Sequence, residues 1–211
     1  MKKLKITTEQ EKFWLDSFGD SYIDRNKGSQ LLASKISLLS KILEKTEDVK
    51  SVVEYGSSIG LNLIALQTLI PKLKMTSVEI NKKACKELRK IKSNEVINES
   101  VLNFKSAKKF DLSLIMTVLI HIDPSKLRMV YETIYKHTKK YICIAEYYNP
   151  TPVEVLYRGH KKRLFKRDFA GEMMKKYKNL KLADYGFVYK NDNNFPYDDV
   201  TWFLLEKKSK T

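Results

Sequence analysis

Residues 52 to 60 read VVEYGSSIG, and the apolar stretch LNLIALQTLI follows at residues 61 to 70. Two β-branched residues lead into Glu54, and small residues then precede a run with helical character. We expect these small residues to form a slim, sharp turn and to let the next helix pack closely against the strand. They are Gly56, Ser57, Ser58 and Gly60. A ligand bearing a nucleoside fits on such a turn.

Strand and helix signals alternate along the rest of the chain. Apolar strand-like segments include MTSVEI, EVIN, FDLSLIMTVLI and YICIAEYY, and helical segments such as NKKACKELRKIK separate them. The last two strand-like segments, LKLADYGFVY and DVTWFLLEK, have only a turn-rich stretch between them. The pattern predicts an α/β, Rossmann-like fold with a mostly parallel seven-stranded sheet, an antiparallel C-terminal strand and helices on both faces.

The length and composition predict one folded domain. The chain has 211 residues, of which 43% are hydrophobic, enough to bury a core. We expect a single domain over residues 1–211 with an N-terminal helical cap over residues 1–48. There is no long apolar segment and no signal-peptide pattern, so we expect a cytoplasmic protein without a membrane span. Cys85 and Cys143 show no metal-binding spacing, which predicts two buried thiols.

The balance of charge indicates an anionic partner or simply a solvated surface. Lysine and arginine total 40 against 25 acidic residues, a net charge of +15. Many lysines are scattered over predicted helices, as expected of residues that maintain solubility. Residues 158–167, RGHKKRLFKR, concentrate six basic side chains around His160. This segment is therefore the candidate contact for an anion.

A second carboxylate indicates which nucleoside ligand binds. Glu79 ends the second predicted strand, 25 residues after Glu54, where a carboxylate can accept hydrogen bonds from ribose hydroxyls. Acidic residues beside the turn would repel a pyrophosphate but suit a cationic ligand. S-adenosylmethionine carries a sulfonium and an ammonium group, so it is the expected cofactor, with S-adenosylhomocysteine as its product.

At these residues the chain resembles the class I S-adenosylmethionine-dependent methyltransferases. VVEYGSSIG is similar to their first motif, with Ser58 where a glycine is usual, and SVEIN and FDLSLIMTVLIHI are similar to later motifs. The resemblance implies the class I methyltransferase fold and methyl transfer. We expect no metal, because no acidic cluster in the sequence suggests a magnesium site. We expect the cofactor to bind at Glu54, Gly56, Ser57, Ser58, Gly60, Asn62, Glu79, Ile80, Ser100, Val101, Thr117 and Val118, with Trp14 and Arg25 covering it from the N-terminal side. Trp14 could equally anchor the core.

Segments outside these motifs resemble the methylase family associated with pseudaminic acid biosynthesis. The similar segments are EQEKFWLDSFGDSYIDRN, AEYYNPTPVEVLYRGHKKRLFKRDFAGEMM and DYGFVYKNDNNFPYDDVTWFLLEK. The resemblance implies O-methylation of a small anionic acceptor, an acidic or phosphorylated sugar, in bacterial surface glycan or capsule synthesis. Methylation of a phosphate or phosphoramidate of a capsule precursor, an RNA methyltransferase and a non-catalytic binding protein remain alternatives. A nucleic-acid acceptor is disfavoured because TVLIHID contains no amino-methylation motif of the N-P-P-Y type. The oligomeric state stays open.

The candidate catalytic residues follow the fourth and fifth strands. His121 lies where the transferred methyl group should project and can act as a base, or it can simply bond a loop backbone. Residues 147–167 are predicted to form a loop that closes over the acceptor as a lid. Tyr157, Arg158 and His160 are its candidate contacts, and Arg158 can pair with a carboxylate or phosphate. The alternative interpretation is a solvated loop with incidental charges.

Overall fold

A computed structural model of the chain describes residues 4–26 and 28–208. The α-helices are α1 (Glu9–Leu15), α2 (Ser17–Arg25), α3 (Ser29–Leu43), α4 (Leu61–Leu69), α5 (Lys82–Leu88), α6 (Leu127–His137) and α7 (Phe169–Lys176). The strands are β1 (Ser51–Tyr55), β2 (Lys74–Glu79), β3 (Asn94–Asn98), β4 (Phe110–Met116), β5 (Thr138–Glu146), β6 (Val153–Tyr157), β7 (His160–Lys166), β8 (Leu180–Val188) and β9 (Val200–Lys207). Thr8 and Glu11 form a capping box at the start of α1.

Seven strands form one sheet in the order β3-β2-β1-β4-β5-β9-β8. The first five strands run parallel, and β9 lies antiparallel between β5 and β8. This arrangement confirms the predicted sheet. The order in which the strands are added to the sheet switches sides at β1. β2 and β3 lie on one side of β1, and β4 and β5 lie on the other. Ligands bind at the carboxyl ends of strands beside such a switch point.

The core fills both faces of the sheet because the central strands are apolar on both sides. All seven residues of β4 are buried. One cluster packs α6 and α7 against the sheet, and the other packs α3 and α4 against its opposite face. Cys85 and Cys143 are buried free thiols, as predicted. In the described part of the chain, no helix combines the length and the apolar composition needed to cross a bilayer.

The predicted loop over residues 147–167 contains a β-hairpin instead. β6 and β7 pair antiparallel as a separate two-stranded sheet. Arg158 and Gly159 form the turn, and both have left-handed backbone angles, with φ of 47° and 83°. Such a turn suits the twist of two short paired strands. The sequence did not predict this hairpin turn, because its first position is an arginine, where asparagine or glycine is usual.

Candidate functional site

The turn after β1 is built from left-handed residues. Gly56, Ser58 and Gly60 have φ of 72°, 47° and 84°. Ser58 thus adopts a conformation that strains a residue with a side chain, at the position where the motif usually has glycine. A methyl group on Gly56 would lie 2.5 Å from the side chain of Val118. The absence of a side chain at Gly56 therefore lets the loop after β4 approach the turn.

Glu79 joins this turn to the end of β2. Its Oε2 accepts a hydrogen bond from the Ser58 backbone N–H at 2.7 Å, and its Oε1 accepts one from the Asn81 N–H at 2.7 Å. Burial raises the pKa of Glu79, while these amides oppose the rise by stabilising the carboxylate. The carboxylate lines a cavity, and its remaining lone pairs can accept further hydrogen bonds there.

A buried polar chain lies beneath the same turn. Asn62 donates to Glu54 Oε1 at 2.5 Å, and the Lys35 ammonium donates to Asn62 Oδ1 at 2.8 Å and to the Tyr197 hydroxyl at 3.1 Å. Burial raises the pKa of Glu54 to about 7 and lowers that of Lys35 to about 8. Among the described residues, Glu54 Oε2 has no partner.

Lys35 and Tyr197 were not among the residues predicted from the sequence. Lys35 is spaced with Leu31, Leu38 and Ile42 on one face of α3. A lysine within such an apolar stripe was the available signal for a buried ammonium group.

The turn forms the floor of a cavity of about 350 Å³. Helices α1 to α3, the carboxyl ends of the strands and the segment between β8 and β9 surround it. The predicted residues that line it are Trp14, Gly56, Ser57, Ser58, Asn62, Glu79, Ile80, Ser100, Val101, Thr117, Val118 and His121. The cavity is acidic although the chain is basic. Five carboxyl groups line it, from Glu11, Glu79, Glu99, Asp123 and Asp198, against the two ammonium groups of Lys35 and Lys190.

Two of the predicted cofactor residues support the turn from outside the cavity lining. Glu54 is buried below it, and a methyl group on Gly60 would collide with Leu88 and Ile91 of the α5 region. Gly60 was predicted to let the next helix pack closely against the strand, but its close neighbours are the side chains of Leu88 and Ile91 in the α5 region instead.

Four further predicted residues lie outside this cavity. Arg25 stacks over Phe18 at 5.4 Å and, with His160, borders a separate depression on the outer side of α1 and α2. Arg158 is exposed at the hairpin turn. Tyr157 packs against His121, with ring centroids 4.9 Å apart. Of the predicted catalytic residues, only His121 lines the cavity.

His121 is held by the hairpin. Its Nδ1 lies 2.6 Å from the backbone oxygen of Arg163 in β7, and its ring contacts Trp14 at a centroid distance of 4.7 Å. Burial lowers the pKa of His121 to about 4, so the imidazole is neutral at neutral pH. If Nδ1 carries the proton donated to Arg163, Nε2 retains a lone pair that can accept a proton. Both of the predicted readings, a bond to a loop backbone and a base, fit this geometry.

Glu146, at the end of β5, caps the loop that carries His121. Its carboxylate accepts hydrogen bonds from the N–H groups of Val118 and Leu119 at 3.0 and 2.8 Å, and a longer one from Ile120 at 3.5 Å. Burial raises its pKa to about 8, although the three amides favour the carboxylate. This role of Glu146 was not predicted from the sequence. A lone acidic residue ending the apolar strand YICIAE was the signal for it.

Comparison with solved structures supports the fold. The chain superposes on a Burkholderia thailandensis 1,6-didemethyltoxoflavin-N1-methyltransferase bound to S-adenosylhomocysteine with a TM-score of 0.70 at 13% identity, covering 98% of this chain and 93% of that one. A Synechocystis magnesium protoporphyrin IX methyltransferase gives 0.68 at 11% identity (95% and 100% covered), and a Clostridium acetobutylicum S-adenosylmethionine-dependent methyltransferase gives 0.64 at 14% (91% and 98%). No family model and no curated protein matches the chain. The chain therefore has the class I S-adenosylmethionine-dependent methyltransferase fold, as predicted.

Proposed function

We propose that this protein is an S-adenosylmethionine-dependent methyltransferase. The observation that carries the proposal is the acidic cavity on the glycine-containing turn, with Glu79 at its rim and Glu54 beneath. S-adenosylmethionine has a net positive charge, from a sulfonium and an ammonium against one carboxylate, so an acidic cavity in a basic protein matches it. The ammonium group of Lys35 is the candidate partner for the cofactor's carboxylate.

The residues around the cavity have separable roles in this proposal. Glu79 holds the ribose hydroxyls, and Ser100 and Val101 border the base. When bound, the cofactor supplies a methyl group on a sulfonium, which needs only an aligned nucleophile and the exclusion of water. Trp14 and His121 exclude water on the acceptor side, and the unprotonated nitrogen of His121 can take a proton from a hydroxyl acceptor. Among the described residues, no group of three His, Cys, Asp or Glu side chains could hold a metal.

We also propose that the acceptor is a small anionic molecule of the acidic or phosphorylated sugar type. The resemblance to the pseudaminic acid-associated methylases supports this class. Tyr157 links the hairpin to the cavity wall through its ring contact with His121. Burial raises the pKa of Tyr157, and the guanidinium groups of Arg158 and Arg25 partly oppose this rise. Two cations near this phenol offer a place for an anionic group beside the cavity.

Two measurements test these proposals separately. Isothermal titration calorimetry with S-adenosylmethionine, without added metal, tests the cofactor, and we expect saturable binding. Incubation with labelled cofactor and a panel of nucleotide-activated sugars, phosphorylated glycan precursors and RNA tests the acceptor. Transfer to RNA alone would replace the sugar acceptor, whereas absence of cofactor binding would contradict the methyltransferase itself.

A further inference from the structure

The backbone at Thr117, directly after β4, is left-handed. Its φ is 53°, and Thr117 is the one β-branched residue with a positive φ in the described part of the chain. A β-branched side chain crowds the backbone in this conformation, so threonine rarely adopts it. Strain of this kind persists only where the surrounding structure imposes it, and it concentrates at functional sites.

Hydrogen bonds on either side of Thr117 impose the strained backbone. Its N–H donates to the Ala145 carbonyl oxygen at 2.9 Å and so continues the pairing of β4 with β5. The next two N–H groups, of Val118 and Leu119, donate instead to the carboxylate of Glu146. The chain must therefore turn within one residue, and the left-handed conformation of Thr117 makes this turn.

The turn places Thr117 in the cavity wall. Its hydroxyl donates to the Met116 carbonyl oxygen at 2.8 Å, so its proton points towards the backbone and its oxygen can still accept. Burial raises the pKa of the Tyr197 hydroxyl, and a hydrogen bond with the Thr117 side chain partly opposes this rise. Tyr197 in turn accepts a hydrogen bond from the Lys35 ammonium at 3.1 Å. Tyr197 therefore bridges Thr117 and Lys35.

Thr117 also lies close to the acceptor side of the cavity. The His121 N–H donates to the Val118 carbonyl oxygen at 2.9 Å, and both residues line the cavity. In the proposed function, Lys35 holds the carboxylate of the cofactor and His121 faces the acceptor. The sulfonium carries the methyl group and is bonded to the chain that ends in that carboxylate. A residue between Lys35 and His121 therefore faces the sulfonium.

We infer that Thr117 is a positioning residue that holds its hydroxyl oxygen against the sulfonium, and that this placement requires the strained backbone. The inference rests on the proposed function. S-adenosylmethionine and S-adenosylhomocysteine differ at the sulfur by one methyl group and one positive charge. An oxygen lone pair attracts the cationic sulfonium and gains little from a neutral thioether. Thr117 should therefore favour the methyl donor over its product.

Three substitutions separate the oxygen from the strain. Thr117→Val keeps the β-branched shape without the oxygen, Thr117→Ser keeps the oxygen, and Thr117→Gly removes both the oxygen and the strain. Isothermal titration calorimetry of the full chain measures the dissociation constants of S-adenosylmethionine and S-adenosylhomocysteine. We expect the ratio of the two constants to shift about tenfold towards S-adenosylhomocysteine in Thr117→Val and Thr117→Gly, the scale of one polar contact with a charged group. In Thr117→Ser the ratio should stay within about threefold of the natural value.

Thermal melting tests the strain. We expect Thr117→Gly to melt about 2 °C higher than the natural chain, because glycine adopts a positive φ without strain, whereas Thr117→Val should not melt higher. Ser93→Gly is the matched control, since Ser93 is exposed, has a φ of 60° and lies outside the cavity lining. It also removes a side chain from a left-handed residue, and it should leave both dissociation constants unchanged.

Each half of the inference can fail by itself. An unchanged ratio in Thr117→Val would overturn the contact with the sulfonium, and Thr117→Gly makes the same comparison if Thr117→Val does not fold. A Thr117→Gly variant that melts lower than the natural chain would overturn the strain. A natural chain that binds neither molecule would contradict the proposed function and this inference with it, so the two failures are distinguishable.

Discussion

The carboxylate of Glu146 accepts a hydrogen bond from the backbone N–H of Leu119 at 2.8 Å, so the end of β5 anchors the loop after β4. We expect Glu146→Leu to lower the free energy of unfolding by about 1 to 3 kcal/mol, because its apolar side chain would leave the buried N–H groups of Val118 and Leu119 without an acceptor. Urea denaturation measures this. Glu206→Leu, on neighbouring β9 and partly exposed, is the control and should change stability by less than about 0.5 kcal/mol. Equal stabilities of the two variants would contradict the capping role.

Removing the Glu79 carboxylate should weaken cofactor binding. We expect Glu79→Ala to raise the dissociation constant of S-adenosylmethionine by roughly 10- to 100-fold, since about 1 to 3 kcal/mol accompanies loss of a charged hydrogen bond. Calorimetry measures the change. Glu95→Gln, an exposed carboxylate on the adjacent β3, should bind normally. Normal affinity in Glu79→Ala would remove the ribose contact from the proposed site.

Replacing Lys35 should affect both stability and cofactor binding. Lys35→Met removes the ammonium that donates to Asn62 Oδ1 and to the Tyr197 hydroxyl, so we expect the free energy of unfolding to fall by about 1 to 3 kcal/mol. Cofactor affinity should also fall by about tenfold, because the candidate partner of the cofactor's carboxylate is lost. Thermal melting and calorimetry measure the two effects. A large loss of stability with unchanged affinity would make Lys35 a purely structural residue.

His121 should make the stability depend on pH. Its folded pKa of about 4 lies below the unfolded value of about 6.5, so the unfolded state binds the extra proton between these values. The contribution of His121 to the free energy of unfolding is therefore at its full value above pH 6.5. It falls by roughly 3 kcal/mol as the pH drops from 6.5 to 4. His121→Gln should flatten that slope in urea denaturation. The raised pKa values of Glu54 and Glu146 make stability change with pH in the opposite direction, in the natural chain and in His121→Gln alike. The difference between the slopes of the two proteins therefore reports His121 alone.

The hairpin turn tests the acceptor proposal. Arg158→Asn suits the left-handed backbone of the turn while removing the guanidinium, so folding and cofactor affinity should persist. If the acceptor is anionic, kcat/KM should fall on the order of 100-fold. His160→Ala should have little effect, because His160 packs against Phe13 and Phe18 away from the cavity. Unchanged kinetics in Arg158→Asn would show that the turn is only solvated surface.

Local patterns in the sequence predicted the strands of the main sheet in their order along the chain, the first turn and the place of Glu79, but they did not predict the hairpin of β6 and β7. These features arise from neighbouring residues: β-branched runs, helical spacing and small residues at a reversal of the chain. The parallel sheet followed from their alternation, since short crossovers of one hand leave few arrangements. The burial of the Cys85 and Cys143 thiols was also predicted correctly, because their spacing fits neither a disulfide nor a metal site.

The tertiary structure alone decided which distant residues complete the site. Lys35 meets Tyr197 from 162 positions away, and Glu146 reaches back to Leu119. The fold likewise turned His160 outward while leaving His121 at the cavity. No local pattern encodes such pairs, because a buried polar group takes whichever partner the packed strands bring within hydrogen-bond distance, and burial then sets its pKa.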